Sequence, residues 1–272
     1  MFEINRTETA AFDTSTLETI TLEVADDHVA TITLNRPDRL NSFNQDMLDD
    51  FDAVWAHVRA NDAIRAVVLQ AAGERAFCTG VDVKDGYDRP VNVWNEDDPG
   101  IHLGPKASKV WKPVVCAVHG MAAGGAFYWI NESDIVICSD DATFFDPHVS
   151  FGMVAALEPI GLARRIPLGD VMRMALLGVD ERMSAARALQ IGLVTEVVAR
   201  DALRSRAREL AAAIAAKPPA AVQGTVRAIW ESLDETRAQA LARGLSYTLI
   251  GNPIGVEEVD RANVSRPEPR IR

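Results

Sequence analysis

Residues 109–152, KVWKPVVCAVHGMAAGGAFYWINESDIVICSDDATFFDPHVSFG, constrain the fold more than any other stretch. Val114, Val115, Ala117 and Val118 form a short apolar, β-branched run that suits a buried strand. Gly120–Gly125, GMAAGG, follows as a turn of small side chains, and Ala126 to Ser133 can then wind as a helix. A second buried run, Ile135–Cys138, is closed by the polar turn Ser139–Asp141. The pattern is strand, glycine turn, helix, strand. A glycine turn at a helix start leaves backbone N–H groups unpaired, with the positive end of the helix dipole behind them. Two readings stand side by side: a turn that holds a developing oxyanion, or a tight turn that needs glycine only for packing.

Residues 76–86, AFCTGVDVKDG, repeat the arrangement after the apolar run Ala66–Leu69. Two strand ends, each offering a free N–H, are what a two-donor oxyanion hole requires. AFCTGVDVKD, KPVVCAVHGMAAGGAF and SDIVICSDDATFFDP resemble the crotonase family of enoyl-CoA hydratases and isomerases. NRPDRLNSF at 35–43 and LLGVDERMSAARALQIGLVTEVV at 176–198 match as well, so the resemblance covers about residues 18–245. It implies an α/β fold, a crotonase-type spiral of ββα turns with a C-terminal helical trimerisation region. It also implies an acyl-CoA thioester as substrate and assembly into trimers or hexamers. No cofactor is expected, since coenzyme A is part of the substrate, and no metal.

Composition narrows the alternatives. With 272 residues, 48% apolar and 25% charged, the chain can bury a sizeable core, and its length fits one large domain or one plus an appendage. The formal charge of −11 argues against nucleic-acid binding, and it means coenzyme A must be held by local donors rather than by net charge. Cys78, Cys116 and Cys138 all lie in or beside apolar runs, which predicts reduced, buried thiols and a cytoplasmic location. The polar, acidic start is no secretory signal, and no apolar run approaches the ~20 residues of a membrane span.

The chain divides into a loose leader (1–17), an α/β acyl-CoA-binding core (18–200), a helical oligomerisation region (201–250) and a loosely ordered tail (251–272). Residues 18–34 read as a hairpin, with Ile20, Leu22 and Val24 alternating before the turn at Ala25–His28. A helix over about 44–60 carries Met47, Phe51, Val54, Trp55 and Val58 on one face. Residues 86–105 form a proline- and glycine-rich segment. Tyr87, Val93, Trp94, Ile101, His102 and Leu103 either line an acyl pocket there or pack locally. Helices follow near 170–177 and 184–191, the latter capped by Ser184. A strand at Gly192–Val194 precedes helices near 202–216, 220–232 and 234–249.

By resemblance, the oxyanion donors are the N–H groups of Val81 and Gly125, with Gly124 beside them. Thr79, Asp82 and Val83 face the adenine, and Arg36, Arg39 and Lys84 are the cations nearest the phosphates. At the two positions where hydratases of the family carry glutamates, this chain has Tyr128 and His148. That removes the carboxylate pair which orients and deprotonates water, and it favours isomerisation or other enolate chemistry over plain hydration. Glu158 lies among Val154, Ala155, Ala156, Leu157, Pro159 and Ile160. It is either an acid of raised pKa suited to proton transfer or a loop carboxylate facing water. His148 titrates near neutrality and is either an acid/base or a structural imidazole. Tyr128 either donates a hydrogen bond or fills the missing glutamate's volume. Asp146 can orient His148, and Glu132, one turn beyond Tyr128, can bond it or a neighbouring subunit. The alternatives to an isomerase are a C–C or thioester hydrolase of the same fold and a catalytically silent acyl-CoA-binding protein.

Overall fold

A computed structural model describes residues 12–260 and 268–271. The leader and tail therefore lie partly outside the described residues. The chain opens with the hairpin β1 (Ile20–Val24) and β2 (Val29–Leu34), followed by helix α1 (Gln45–Ala60). Asn44 caps α1 by accepting from the Met47 N–H at 3.3 Å. The expected apolar face of α1 is fully buried, with Trp55 and Phe51 among the largest core side chains.

Three further turns repeat one motif. β3 (Ala66–Ala71) and β4 (Ala76–Cys78) precede the short helix α2 (Gly100–Leu103). β5 (Val114–Val118) and β6 (Met121–Ala123) precede α3 (Phe127–Glu132). β7 (Ile135–Ser139) and β8 (Thr143–Phe145) precede α4 (Leu157–Leu162). In each turn the first strand enters one sheet and the second enters another, which is the ββα spiral that the resemblance implies. The chain continues through α5 (Leu168–Leu177), β9 (Met183–Ser184), α6 (Ala185–Gln190) and β10 (Glu196–Val198). It ends in α7 (Leu203–Ala215), α8 (Pro219–Ser232) and α9 (Arg237–Glu257). The larger sheet runs β1-β2-β3-β5-β7-β10, all parallel except the first pair. The smaller runs β4-β6-β8-β9, with only β9 antiparallel.

Both faces of the large sheet are covered, which is why its central strands read as unbroken apolar runs. On one face Val67, Leu69, Val114 and Cys116 meet α1 and the aromatic core. On the other, Val68, Val115, Ala117 and Ile137 meet Leu203, Ala207, Ala211 and Ala215 of α7. The alanines let α7 lie close to the sheet. α7 thus packs directly on the sheet. The three thiols are free and buried, and burial pushes each up to about 12.

Several expectations need correction. Gly120–Gly125 is not one turn: Met121–Ala123 pairs with β4 and β8, because its small side chains fit between two strands. Gly192–Val194 is a turn, and the strand comes later as β10. Residues 157–162 form a helix where a loop was expected. α9 continues through Pro253 to Glu257, past the expected end at 249. Leu103 is fully buried and its carbonyl accepts from the Trp55 indole at 2.9 Å, so it does not line a pocket. His102 pairs with Asp52 at 2.7 Å, and Trp94 is exposed.

Candidate functional site

The site forms where the end of β4 meets the start of α3. Asn41 anchors the preceding loop, donating to the carbonyls of Ala72 and Ala76 at 2.9 Å each. That fixes Phe43, which bridges Val81 in parallel register. The Phe43 N–H donates to the Gly80 carbonyl at 2.9 Å, and the Asp82 N–H donates to the Phe43 carbonyl at 2.7 Å. In such a bridge the residue between the two bonds points its own N–H the other way. Val81 is that residue, so its N–H faces away from Phe43.

Gly125 stands in the turn Gly124–Ala126 that opens α3, where first-turn N–H groups lack intrahelical partners. A Cβ on Gly125 would sit 2.4 Å from Phe43 Cε1, and one on Gly80 would sit 3.1 Å from the Gly125 nitrogen. Glycine is therefore required at 125 for close approach. The structure brings the Gly80–Val81 backbone close to Gly125. Phe43 meets Tyr128 edge-on at 6.2 Å and Trp129 at 6.3 Å, making an aromatic floor beneath them.

Four side chains converge beside this turn. A Cβ on Gly124 would lie 3.6 Å from His148 Cε1, so the imidazole borders the glycines. His148 Nδ1 is 2.6 Å from Asp146 Oδ1, which also accepts the His148 backbone N–H at 3.0 Å. His148 Nε2 is 3.8 Å from Glu158 Oε1. Glu158 stands in the first turn of α4 and is only 5% exposed, which excludes a water-facing loop carboxylate. Tyr128 completes the set, with the carboxylates of Glu158 and Asp98 near its phenol.

The electrostatics follow from burial and neighbours. The hydrogen bond to Asp146 raises the His148 pKa against the opposing effect of burial. Burial raises that of Glu158, with His148 only partly offsetting it. Burial, then Glu158 and Asp98, push the Tyr128 phenol well above its usual range, so it stays a neutral donor. Two groups of raised pKa facing each other at 3.8 Å can exchange a proton.

One ligand atom each from Asp146, His148 and Glu158 lie within 4.8 Å of one another. Asp146 Oδ1 accepts from His148, while Asp146 Oδ2 is buried without a hydrogen-bond partner among the described residues.

The expected coenzyme A contacts fare unevenly. Asp82 is buried and accepts from the Lys84 N–H at 3.0 Å and the Asp85 N–H at 3.3 Å, so it closes its own turn. Arg36 is tied to Asp82 at 3.1 Å and Asp85 at 2.8 Å, and is not a free phosphate partner. Arg39, Val83 and Lys84 are exposed near the turn, and Thr79 is half-buried. Glu132 accepts from the N–H groups of Lys106 and Ala107 at 2.7 and 2.9 Å; it fixes that loop and does not bond Tyr128. Tyr87 packs on Phe43 at 6.3 Å. Sequence reading missed Asp98 and Phe43. The Asp-Pro-Gly turn at 98–100 announces a bend but nothing ties it to Tyr128.

Comparison with known proteins decides the family. The sequence model of the enoyl-CoA hydratase/isomerase family matches residues 25–258. The chain belongs to the enoyl-CoA hydratase/isomerase family. It is 38% identical over 215 residues to (E)-benzylidenesuccinyl-CoA hydratase of Thauera aromatica, covering 77% of this chain and 81% of that protein. It is 34% identical over 195 residues to the 1,2-epoxyphenylacetyl-CoA isomerase of Escherichia coli, covering 70% and 74%. An enoyl-CoA hydratase/isomerase from Mycobacterium paratuberculosis superposes with a TM-score of 0.81 at 37% identity, over 90% of this chain and 93% of that one. The chain therefore has the crotonase fold and is an enzyme of this family. No helix among the described residues is long and apolar enough to cross a membrane.

The Asp146–His148 bond yields a direct expectation. His148, followed by nuclear magnetic resonance, should titrate above its ordinary value of 6.5, because the carboxylate favours the imidazolium. In Asp146→Asn the midpoint should fall. An unchanged midpoint would show that Asp146 does not set the histidine's charge.

Proposed function

We propose that this enzyme moves protons on an acyl-CoA through a thioester enolate, with isomerisation favoured over hydration. The thioester carbonyl oxygen accepts from the N–H groups of Val81 and Gly125, which draws charge from the α-carbon and acidifies its protons. Neutral His148 presents the Nε2 lone pair while Asp146 holds Nδ1–H. Nε2 takes a proton from the carbon skeleton, the electron pair passes to the carbonyl oxygen, and the proton returns at another carbon from His148 or Glu158. Tyr128 occupies the first glutamate position as a neutral hydrogen-bond donor.

The observation that carries this reading is the buried Asp146–His148–Glu158 array beside the glycine turn, in place of two glutamates. An Asp–His pair also activates water. Hydrolysis of a 3-oxoacyl-CoA or of the thioester is therefore the second reading, separable by mass spectrometry of the products. Coenzyme A would lie along Thr79–Lys84, with Arg39 and Lys84 as exposed cations for its phosphates.

Self-association and a cytoplasmic setting are part of the proposal. Leu241, Leu245 and Leu249 make an exposed stripe at four-residue spacing along α9, an apolar face that a second subunit would cover. Light scattering should give a trimer or hexamer of the 29.6 kDa chain, and a monomer at micromolar concentration would contradict this.

Crotonyl-CoA hydration should be very slow. On a panel of 2-enoyl- and 3-enoyl-CoAs, Glu158→Gln or His148→Asn should lower kcat about 10²–10⁴-fold with KM little changed. Rapid hydration of crotonyl-CoA, untouched by either substitution, would overturn the assignment.

A further inference from the structure

Helix α4 carries Glu158 but has little of its own to hold it in place. It spans six residues, and its N-cap is Ala156, whose side chain cannot accept from the first-turn N–H groups. A helix this short is marginal in isolation, so its position must come from tertiary contacts. Leu157 and Ile160 are exposed, which leaves Pro159 and Leu162 as its buried apolar anchors.

Two polar ties fasten α4 to α3. At its start, Asn131 Nδ2 donates to the Glu158 carbonyl at 2.9 Å. Just past its end, Arg165 Nη1 donates to the carbonyls of Ile130, Asn131 and Ser133 at 2.7–2.8 Å. The first tie is closely fitted. A Cβ on Gly161 would lie 2.4 Å from Asn131 Nδ2 and 2.9 Å from its Cγ, so glycine at 161 makes room for the amide. Asn131 Oδ1, by contrast, is buried without a hydrogen-bond partner among the described residues. An unpaired buried acceptor is unfavourable, and an apolar side chain would fill the place without one. Asparagine at 131 is therefore explained by its donor and not by packing.

We infer that Asn131 is a positioning residue: its bond to the Glu158 carbonyl fixes the first turn of α4 and so holds the Glu158 carboxylate opposite His148. This rests on the proposed role of Glu158 in proton transfer. Tyr128 and Asn131 stand three residues apart and share a face of α3. That face meets both ends of Glu158, with Tyr128 near its carboxylate and Asn131 on its carbonyl. Glu158 Oε1 lies 3.8 Å from His148 Nε2, and a misplacement of about 1 Å can lower a rate about 10²-fold. Without the bond, the first turn of a helix that lacks a side-chain cap frays, and the carboxylate meets water.

The titratable groups that face Glu158 are His148, Asp146, Asp98 and Tyr128. A substitution at 131 alters none of them, so the Glu158 midpoint reports its own exposure. Carbon-13 nuclear magnetic resonance of carboxyl-labelled glutamate reads that midpoint without substrate, Glu158 being the signal lost in Glu158→Gln. Burial should hold the wild-type midpoint above the ordinary 4.5. The midpoint should fall toward 4.5 in Asn131→Ala, and also in Asn131→Leu, which keeps the volume but has no donor. On 3-enoyl-CoAs both variants, folded by circular dichroism, should lower kcat about 10–10²-fold while KM stays within about twofold. An unchanged midpoint in either folded variant, or a wild-type midpoint already at 4.5, would overturn the inference. A midpoint that falls in both variants, with kcat insensitive to Glu158→Gln, would leave Asn131 as the residue that places Glu158 and overturn the proton-transfer role instead.

Discussion

The structure depends on one close backbone approach, that of the β4 end to the turn opening α3. Gly80 and Gly125 meet there because neither has a Cβ, and the Phe43 ring fills the space a side chain at 125 would need. The two-stack spiral makes this approach possible. Each turn of chain adds a long strand to one sheet and a short strand to the other, so successive strand ends accumulate along one edge. β4 and β6 are neighbours in the small sheet, and Val81 and Gly125 follow their ends by three and two residues. The approach of these two backbone segments is thus a product of sheet register, and it places no demand on the side chain at position 81.

The second requirement is a place where charge can move without water. Asp146 is fully buried and Glu158 nearly so, and His148 stands between them. Glu158 holds its proton more tightly than it would in water, because burial strips hydration from its ionised form. Asp98 adds a third carboxylate through Tyr128. A site of this kind favours proton exchange with a neutral acyl group. The −11 charge of the chain points the same way: coenzyme A must be drawn by a few exposed cations at the entrance and not by the interior.

Much of this was legible in the sequence. The apolar runs at 66–71, 114–118 and 135–139 marked strands buried on both faces, and the glycine turns marked their ends. His148 and Asp146 stand two residues apart, so their pairing is local and readable. Glu158 was legible as a candidate, but its burial required α4, whose six residues are too short for a helical period to show. Asp98 was not legible: it reaches Tyr128 only through the fold of a segment with no repeating pattern. Asp82 and Arg36 looked like ligand contacts by position, whereas the structure joins them to each other. Exposed cations and internally paired cations look identical in a sequence. The bond from Asn131 to the Glu158 carbonyl was equally hidden, because it joins a side chain of one helix to the backbone of another.

The central claim is that the backbone of Val81 and Gly125 polarises a thioester carbonyl. Difference infrared spectroscopy of octanoyl-CoA labelled with carbon-13 at the thioester carbonyl reads that interaction directly. The account predicts that the C=O stretch of the bound thioester moves to lower frequency than in water, because two aligned donors weaken the double bond more than solvent does. A bound thioester whose carbonyl band stays at its aqueous position or moves to higher frequency would contradict it.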